Sequence, residues 1–170
     1  MPTLTALTLS IGGLAFVIVY LGTTVIVGLV ALWALFIAWG GYYANGANME
    51  SVKLTLGALI FGIVLACICC MLILSVPVGS VTVPFWVAVF VAVFVYSSKI
   101  ELFSALPTTV NGFALVFAYV LQTEGMMDMA VLTAPSFTNP LVLLTASSVI
   151  GVVWGVLSNK LTGVLSSDKA

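Results

Sequence analysis

Six long apolar runs occupy most of this 170-residue chain. A helix that crosses the hydrocarbon core of a bilayer needs about 20 apolar residues, and each run approaches that length. Because the runs are continuously apolar rather than alternating, they predict helices and not the strands of a β-barrel. We expect an all-α, polytopic membrane helical bundle of about six transmembrane helices. It forms a single transmembrane domain over residues 1–170, with spans at about 4–22, 24–43, 53–76, 81–97, 102–121 and 140–158.

The composition excludes most soluble classes of function. Hydrophobic residues make up 63% of the chain and charged residues 5%, against about 25% charged in an ordinary soluble domain. Histidine and arginine are both absent, which removes imidazole chemistry, histidine metal ligands and bidentate anion clamps. A net charge of −1 offers no basic surface to nucleic acid. The sequence therefore predicts a membrane protein that is not an enzyme, with no cofactor, no metal and no nucleic-acid partner.

Polar breaks and lysines predict how the chain crosses the bilayer. The segments 45–48, 77–80 and 97–99 have the composition of turns. A continuous helix from Leu4 to Tyr43 would be about 60 Å long, twice the core thickness, so we expect a tight hairpin at Gly22–Thr24. With six spans, all the lysines fall on one side or at a helix end facing it. The positive-inside rule makes that side cytoplasmic and predicts cytoplasmic termini. The lysines are Lys53, Lys99, Lys160 and Lys169.

Two stripes of small residues predict close helix packing. They recur every four residues in the third and sixth spans, and small residues let helix backbones approach in lipid. The stripes are Ala58, Gly62, Ala66 and Cys70, and Ser147, Gly151 and Gly155. Either they pack within one chain or they form a subunit interface. We predict a homo-oligomer, a dimer or a trimer, in which Gly151 contributes to the contact.

The fifth span contains the candidate site. Pro107 removes one intrahelical hydrogen bond and is expected to interrupt this helix. Ser104, Thr108 and Asn111 follow i, i+4, i+7 spacing, with Asn111 in the middle of the span, and Ser148 in the sixth span is a possible partner for Asn111. A Pro-interrupted span with polar groups at mid-depth is typical of a transport site, so these five residues predict a substrate pathway. The alternative is structural, because Pro is common in membrane helices and Asn can bridge them.

Three segments resemble a known family. They are Trp39–Ala44 leading to Gly57-Ala58, Ser104–Gly112, and Ile150–Gly155. The pattern is similar to that of the YcdZ-like bacterial inner-membrane proteins, the DUF1097 family, whose members carry no assigned activity. The resemblance implies a multi-pass protein of the bacterial inner (plasma) membrane with about six spans. In addition, Leu106–Thr108 and Asn139–Leu141 resemble the half-helix elements of urea-channel repeats.

The function that these features favour is passive transport. No charged residue lies near the centre of a predicted span, which argues against proton-coupled transport. We therefore expect a channel or facilitator for a small neutral solute, such as urea or another amide. The alternative is a structural or regulatory membrane subunit of a larger complex that transports nothing itself.

Overall fold

The computed structural model describes residues 4–167, and this part of the chain is helical without strands. The predicted all-α fold is confirmed. Lys169 lies outside the described residues. The helices are α1 (Leu4–Thr24), α2 (Leu32–Ala44), α3 (Met49–Ser75), α4 (Thr82–Ser97), α5 (Leu106–Gln122), α6 (Met129–Thr133) and α7 (Pro140–Ser167), with 3₁₀ turns at Gly79–Val81 and Glu101–Phe103.

Four helical segments are long and apolar enough to cross a membrane: Leu4–Thr24, Met49–Ser75, Gly79–Ser97 and Pro140–Ser166. The other two predicted spans, 24–43 and 102–121, are built differently. Their helices, α2 and α5, have only 13 and 17 residues and follow segments without α-helix at 25–31 and 98–105. Non-helical backbone at membrane depth must be buried in protein or line a cavity. The short helices are therefore the irregular elements of this fold.

The predicted hairpin at Gly22–Thr24 is wrong in position. Helix α1 continues to Thr24, and the turn occupies residues 25–31. Gly28 takes a φ of +78° in this turn, in the left-handed region that glycine adopts without strain. Gly22, Thr23 and Thr24 are instead the last helical residues of α1.

The interruption of the fifth span lies just before Pro107. Helix α5 begins at Leu106, so the proline occupies its first turn, where a missing N–H costs no intrahelical hydrogen bond. Pro107 thus starts the helix, and the break falls at Ser104 and Ala105. The fixed φ of proline is compatible with a helix that must begin at this point.

Each short helix packs along a long helix from the other half of the chain. Helix α2 lies along α7, with Ala31 donating its N–H to Ser147 and Asn159 donating its side-chain amide to the Ala47 carbonyl. Both helices therefore run in the same direction. Helix α5 lies along α3 in the same way, with Gly57 beside Leu102 and Gly62 further along beside residues 109–113. Helix α1 packs on α7, and α4 packs on α3.

This packing makes the two halves of the molecule equivalent and inverted. Helices α1, α2 and α3 correspond to α4, α5 and α7. Residues 32–45 and 106–119 show the same succession of buried, half-buried and exposed positions, residue for residue. Because α2 runs parallel to α7 but antiparallel to α3, to which a short turn joins it, α3 and α7 run in opposite directions. The fold is thus an inverted repeat of three helices.

The small-residue stripes pack within the protomer. A Cβ added at Gly62 would overlap the Thr109 carbonyl oxygen, and one added at Gly151 would overlap the Leu35 carbonyl oxygen. Each glycine thus lies where a long helix crosses the short helix of the other half. Our expectation that Gly151 contributes to a subunit contact is wrong, because α2 of the same chain covers it.

Candidate functional site: two cavities at opposite ends of the bundle

A large cavity of about 1010 Å³ opens at the end of the bundle where α3 begins. Its walls come from the end of α2, the first turns of α3 and the segment that leads into α5. Charged side chains of both signs line it, together with two amides and two hydroxyls. The lining residues are Asn45, Asn48, Met49, Glu50, Ser51, Lys53, Leu54, Ile100, Glu101, Leu102 and Ser104.

A neutral hydrogen-bond network lies beneath this cavity. Asn45 donates its side-chain amide to the hydroxyl of Thr55, at 2.8 Å, and to that of Thr108, at 3.2 Å. Thr55 and Thr108 are both buried, and the Thr55 hydroxyl also approaches the Gly41 carbonyl oxygen at 3.4 Å. The network therefore joins the end of α2, the second turn of α3 and the first turn of α5.

Local capping positions Asn45 at the edge of this cavity. Asn48 caps the N-terminus of α3 by accepting from the Ser51 N–H, and its own N–H donates to the Ser51 hydroxyl. The Ser51 hydroxyl also donates to the Asn45 carbonyl oxygen at 2.7 Å. A reciprocal cap of this kind satisfies two helix-end groups and fixes the turn before the helix. The turn from α2 to α3 therefore holds Asn45 in place.

A smaller cavity of about 450 Å³ opens at the opposite end of the bundle, where α7 begins. Its walls come from the start of α2, the end of α5 and the second turn of α7. Its lining contains aromatic, amide and hydroxyl groups and no charged side chain. The lining residues are Ala31, Trp33, Ala118, Tyr119, Gln122, Thr123 and Leu143.

The two cavities are built from equivalent positions of the two halves. Asn45 lines the large cavity and Tyr119 lines the small one. They are the last residues of the two matching segments, 32–45 and 106–119, and so occupy equivalent positions. Leu54 and Leu143 both lie eight residues before the glycine of their long helix, Gly62 or Gly151. The cavities are therefore counterparts under the inverted repeat, one at each end.

Comparison with known families gives the chain its classification. The family described as "Protein of unknown function (DUF1097)" matches residues 8–163. The chain belongs to the DUF1097 family. No curated protein and no solved structure matches it. The membership covers both inverted halves, which confirms the family indicated by the three sequence segments; the similarity to urea channels stays a prediction.

In the DUF1097 structure, the residues of the predicted polar stripe do not share one environment. Ser104 lines the large cavity, Pro107 is exposed in the first turn of α5, and Thr108 is buried in the network. Asn111 is exposed on the outer face of α5. Ser148 is fully buried on α7, and its hydroxyl has no hydrogen-bond partner among the described residues. The suggested pair between Asn111 and Ser148 is therefore not formed.

Two polar residues of the DUF1097 chain were missed by sequence reasoning. Asn45 was interpreted as part of a turn, and Thr55 received no role. A signal was present, because Ser51 and Thr55 lie four residues apart near the start of a helix that is apolar beyond Thr55, and they follow two asparagines. In lipid, such a polar face needs partners from within the protein.

Proposed function

We propose that this protein is a passive facilitator of the bacterial inner membrane for a small neutral solute of the urea or amide type. The observation that carries the proposal is the pair of equivalent cavities at opposite ends of one helical bundle. A solute path needs an opening on each side of the membrane. In inverted-repeat transporters, the discontinuous helices also mark the binding region near mid-depth.

The chemistry of the large cavity supports a solute that donates N–H groups. Both N–H groups of the Asn45 amide are used within the protein, on Thr55 and Thr108. The side-chain oxygen of Asn45, Oδ1, accepts no hydrogen bond from the described residues, and Asn45 lines the cavity. Urea and simple amides carry the N–H donors that this acceptor requires. Ser104 lies at the opening of this cavity, and Thr108 is buried in the network beneath it.

The charges in the large cavity support a neutral solute. Glu50, Lys53 and Glu101 combine both signs and leave a formal charge of only −1, so the opening concentrates ions of one sign weakly. The small cavity has a neutral lining, and no described residue between the cavities is charged. An ion that entered the small cavity would lose its hydration without a compensating charge, which is costly. The proposal involves no catalysis and no cofactor.

The orientation and assembly of the protein belong to the same proposal. The lysine distribution supports a cytoplasmic location for the large cavity, with Lys53, and for both termini. The homo-oligomer, a dimer or a trimer, would use faces other than the glycine stripes, since those are covered within the protomer.

Solute flux in reconstituted vesicles tests the proposal. Vesicles containing the protein should shrink and then re-swell in a urea gradient faster than protein-free vesicles, as followed by light scattering. Their leak of potassium ions should equal that of the protein-free vesicles. Asn45→Leu removes the cavity acceptor and should reduce urea flux at least tenfold, while Leu54→Met, on the same cavity wall, should not. Urea flux no faster than in protein-free vesicles would instead favour a non-transporting membrane subunit.

A further inference from the structure

The inverted repeat carries an inference about how the two cavities are used. It rests on the proposed function, because it concerns the path of the same solute. We propose that the molecule is a carrier that opens its two cavities alternately, and not a continuously open pore. The structure described here, whose large cavity has more than twice the volume of its counterpart, is one of the two states.

The centre of the bundle blocks the path between the cavities. Leu59 and Ile63 in the middle of α3, and Val152 in the middle of α7, are each at most 1% exposed. These side chains fill the space where the two long helices meet, together with the short helices that cover them. A solute cannot pass from one cavity to the other in this state. Transport therefore requires a second arrangement of the same helices.

The inverted halves define what that second arrangement is. Two halves with equivalent packing can exchange conformations, and the exchange converts each cavity into the form of its counterpart. The cavity at the α3 end would narrow, while the one at the α7 end would widen. Alternating access by movement of one repeat against the other follows this geometry in transporters with inverted repeats.

The glycine crossings allow the required movement. At Gly62 and Gly112, backbone packs directly on backbone, and the equivalent crossing brings Gly151 against Leu35 and Ala38. No large side chain interlocks at these two crossings, so they are the points about which each short helix can rock on its long helix. Both glycine crossings, at Gly62 and at Gly151, lie near the middle of their long helices. A rocking movement there closes one end of the bundle as it opens the other.

Cysteine labelling tests alternation independently of flux. Met49→Cys and Ser104→Cys place thiols on opposite walls of the large cavity, and Thr123→Cys places one in the small cavity. All three residues are exposed, so the substitutions disturb no packing. The native cysteines, Cys67, Cys69 and Cys70, are buried, and the unsubstituted chain gives the background.

Oxidation of the thiols at residues 49 and 104 to a disulfide by a mild oxidant should draw the large cavity closed and leave the single thiol at residue 123 for labelling. We expect it to increase the labelling rate at residue 123 at least threefold and to abolish urea flux. Ser80→Cys lies outside the small cavity at the same end, and its labelling rate should not change. An unchanged labelling rate at residue 123, or full urea flux through the protein linked between residues 49 and 104, would overturn alternation.

The two proposals fail in different ways. Urea flux in the unlinked protein with no change at residue 123 would retain the facilitator and exclude the carrier mechanism. A labelling change at residue 123 in a protein that conducts no urea would retain the alternating structure and exclude urea as its solute.

Discussion

Gly62 of α3 lies against Gly112 of α5 with no side chain between them: a Cβ built on Gly62 is 3.1 Å from the Gly112 carbonyl carbon. We expect Gly62→Ala to force the two helices apart, because the contacts are with backbone atoms that cannot rotate away. The expected cost is about 1–3 kcal/mol, as for other overpacked sites. Thermal unfolding in detergent measures it. Gly40→Ala is the matched control, since its added Cβ meets no atom within 4 Å, and unchanged stability of Gly62→Ala would contradict the close crossing.

Ser147→Ala should destabilise the start of α2. The Ser147 hydroxyl accepts from the Ala31 N–H at 2.9 Å, and without it a buried N–H loses its partner. Such a loss typically costs about 1–3 kcal/mol. Ser148→Ala should leave stability unchanged, because the neighbouring hydroxyl is equally buried but has no partner among the described residues. Equal unfolding temperatures for the two variants would show that Ser147 does not hold α2.

Thr108→Val should slow urea flux without stopping it. The substitution keeps the shape of the side chain and removes the acceptor for Asn45, an interaction typically worth about 0.5–1.5 kcal/mol. Flux should fall about two- to tenfold, as measured in reconstituted vesicles. Thr109→Val removes a neighbouring buried hydroxyl that has no partner in the described structure, so its flux should equal that of the unsubstituted protein. A similar loss in both variants would indicate a general packing effect.

Asn111→Leu should lower the mass of the protein in detergent and leave urea flux intact, because Asn111 is exposed on the outer face of α5 and lines neither cavity. Gly112, the next residue, contacts the middle of α3, which places Asn111 at mid-depth with its side chain exposed. An amide there must bind solute, water or another protein group, since an unpaired one in hydrocarbon costs several kcal/mol. Val110→Leu, also on the exposed face, is the control. Abolished urea flux at an unchanged mass would instead assign Asn111 to the solute path.

Reporter fusions should place the two ends of the bundle on opposite sides of the membrane. Fusions after Ser80 and Glu124 should report the outside, and fusions after Asn48 and at the C-terminus the cytoplasm. The reason is that α3 and α7 run in opposite directions and the lysines concentrate at one end. Signals from the same side after Asn48 and Ser80 would contradict a spanning α3.

Sequence reasoning predicted the helical membrane fold because hydropathy responds directly to the length of an apolar run. It could not predict that α2 and α5 are short, because the 25–31 segment is apolar enough to continue a helix. It identified the stripe containing Gly62 but not its partner, since spacing along one helix does not reveal which helix covers it. Thr108 and Ser104 were found through their proximity to Pro107. Asn45 was missed because asparagine is common in turns, and the sequence does not distinguish a turn asparagine from one that lines a cavity.

The packing of each short helix on the long helix of the other half also has a consequence for biosynthesis. Ala31 and its partner Ser147 are separated by 116 residues, so α2 enters the membrane long before α7 exists. At about 5–20 residues per second of synthesis, that delay is roughly 6–23 s. During this interval the nascent chain holds a 13-residue helix whose packing partner has not been translated. The insertion machinery or surrounding lipid must cover the apolar surface of α2 until α7 has been synthesised. A ribosome that stalls before residue 140 leaves a product without α7, which cannot complete its fold.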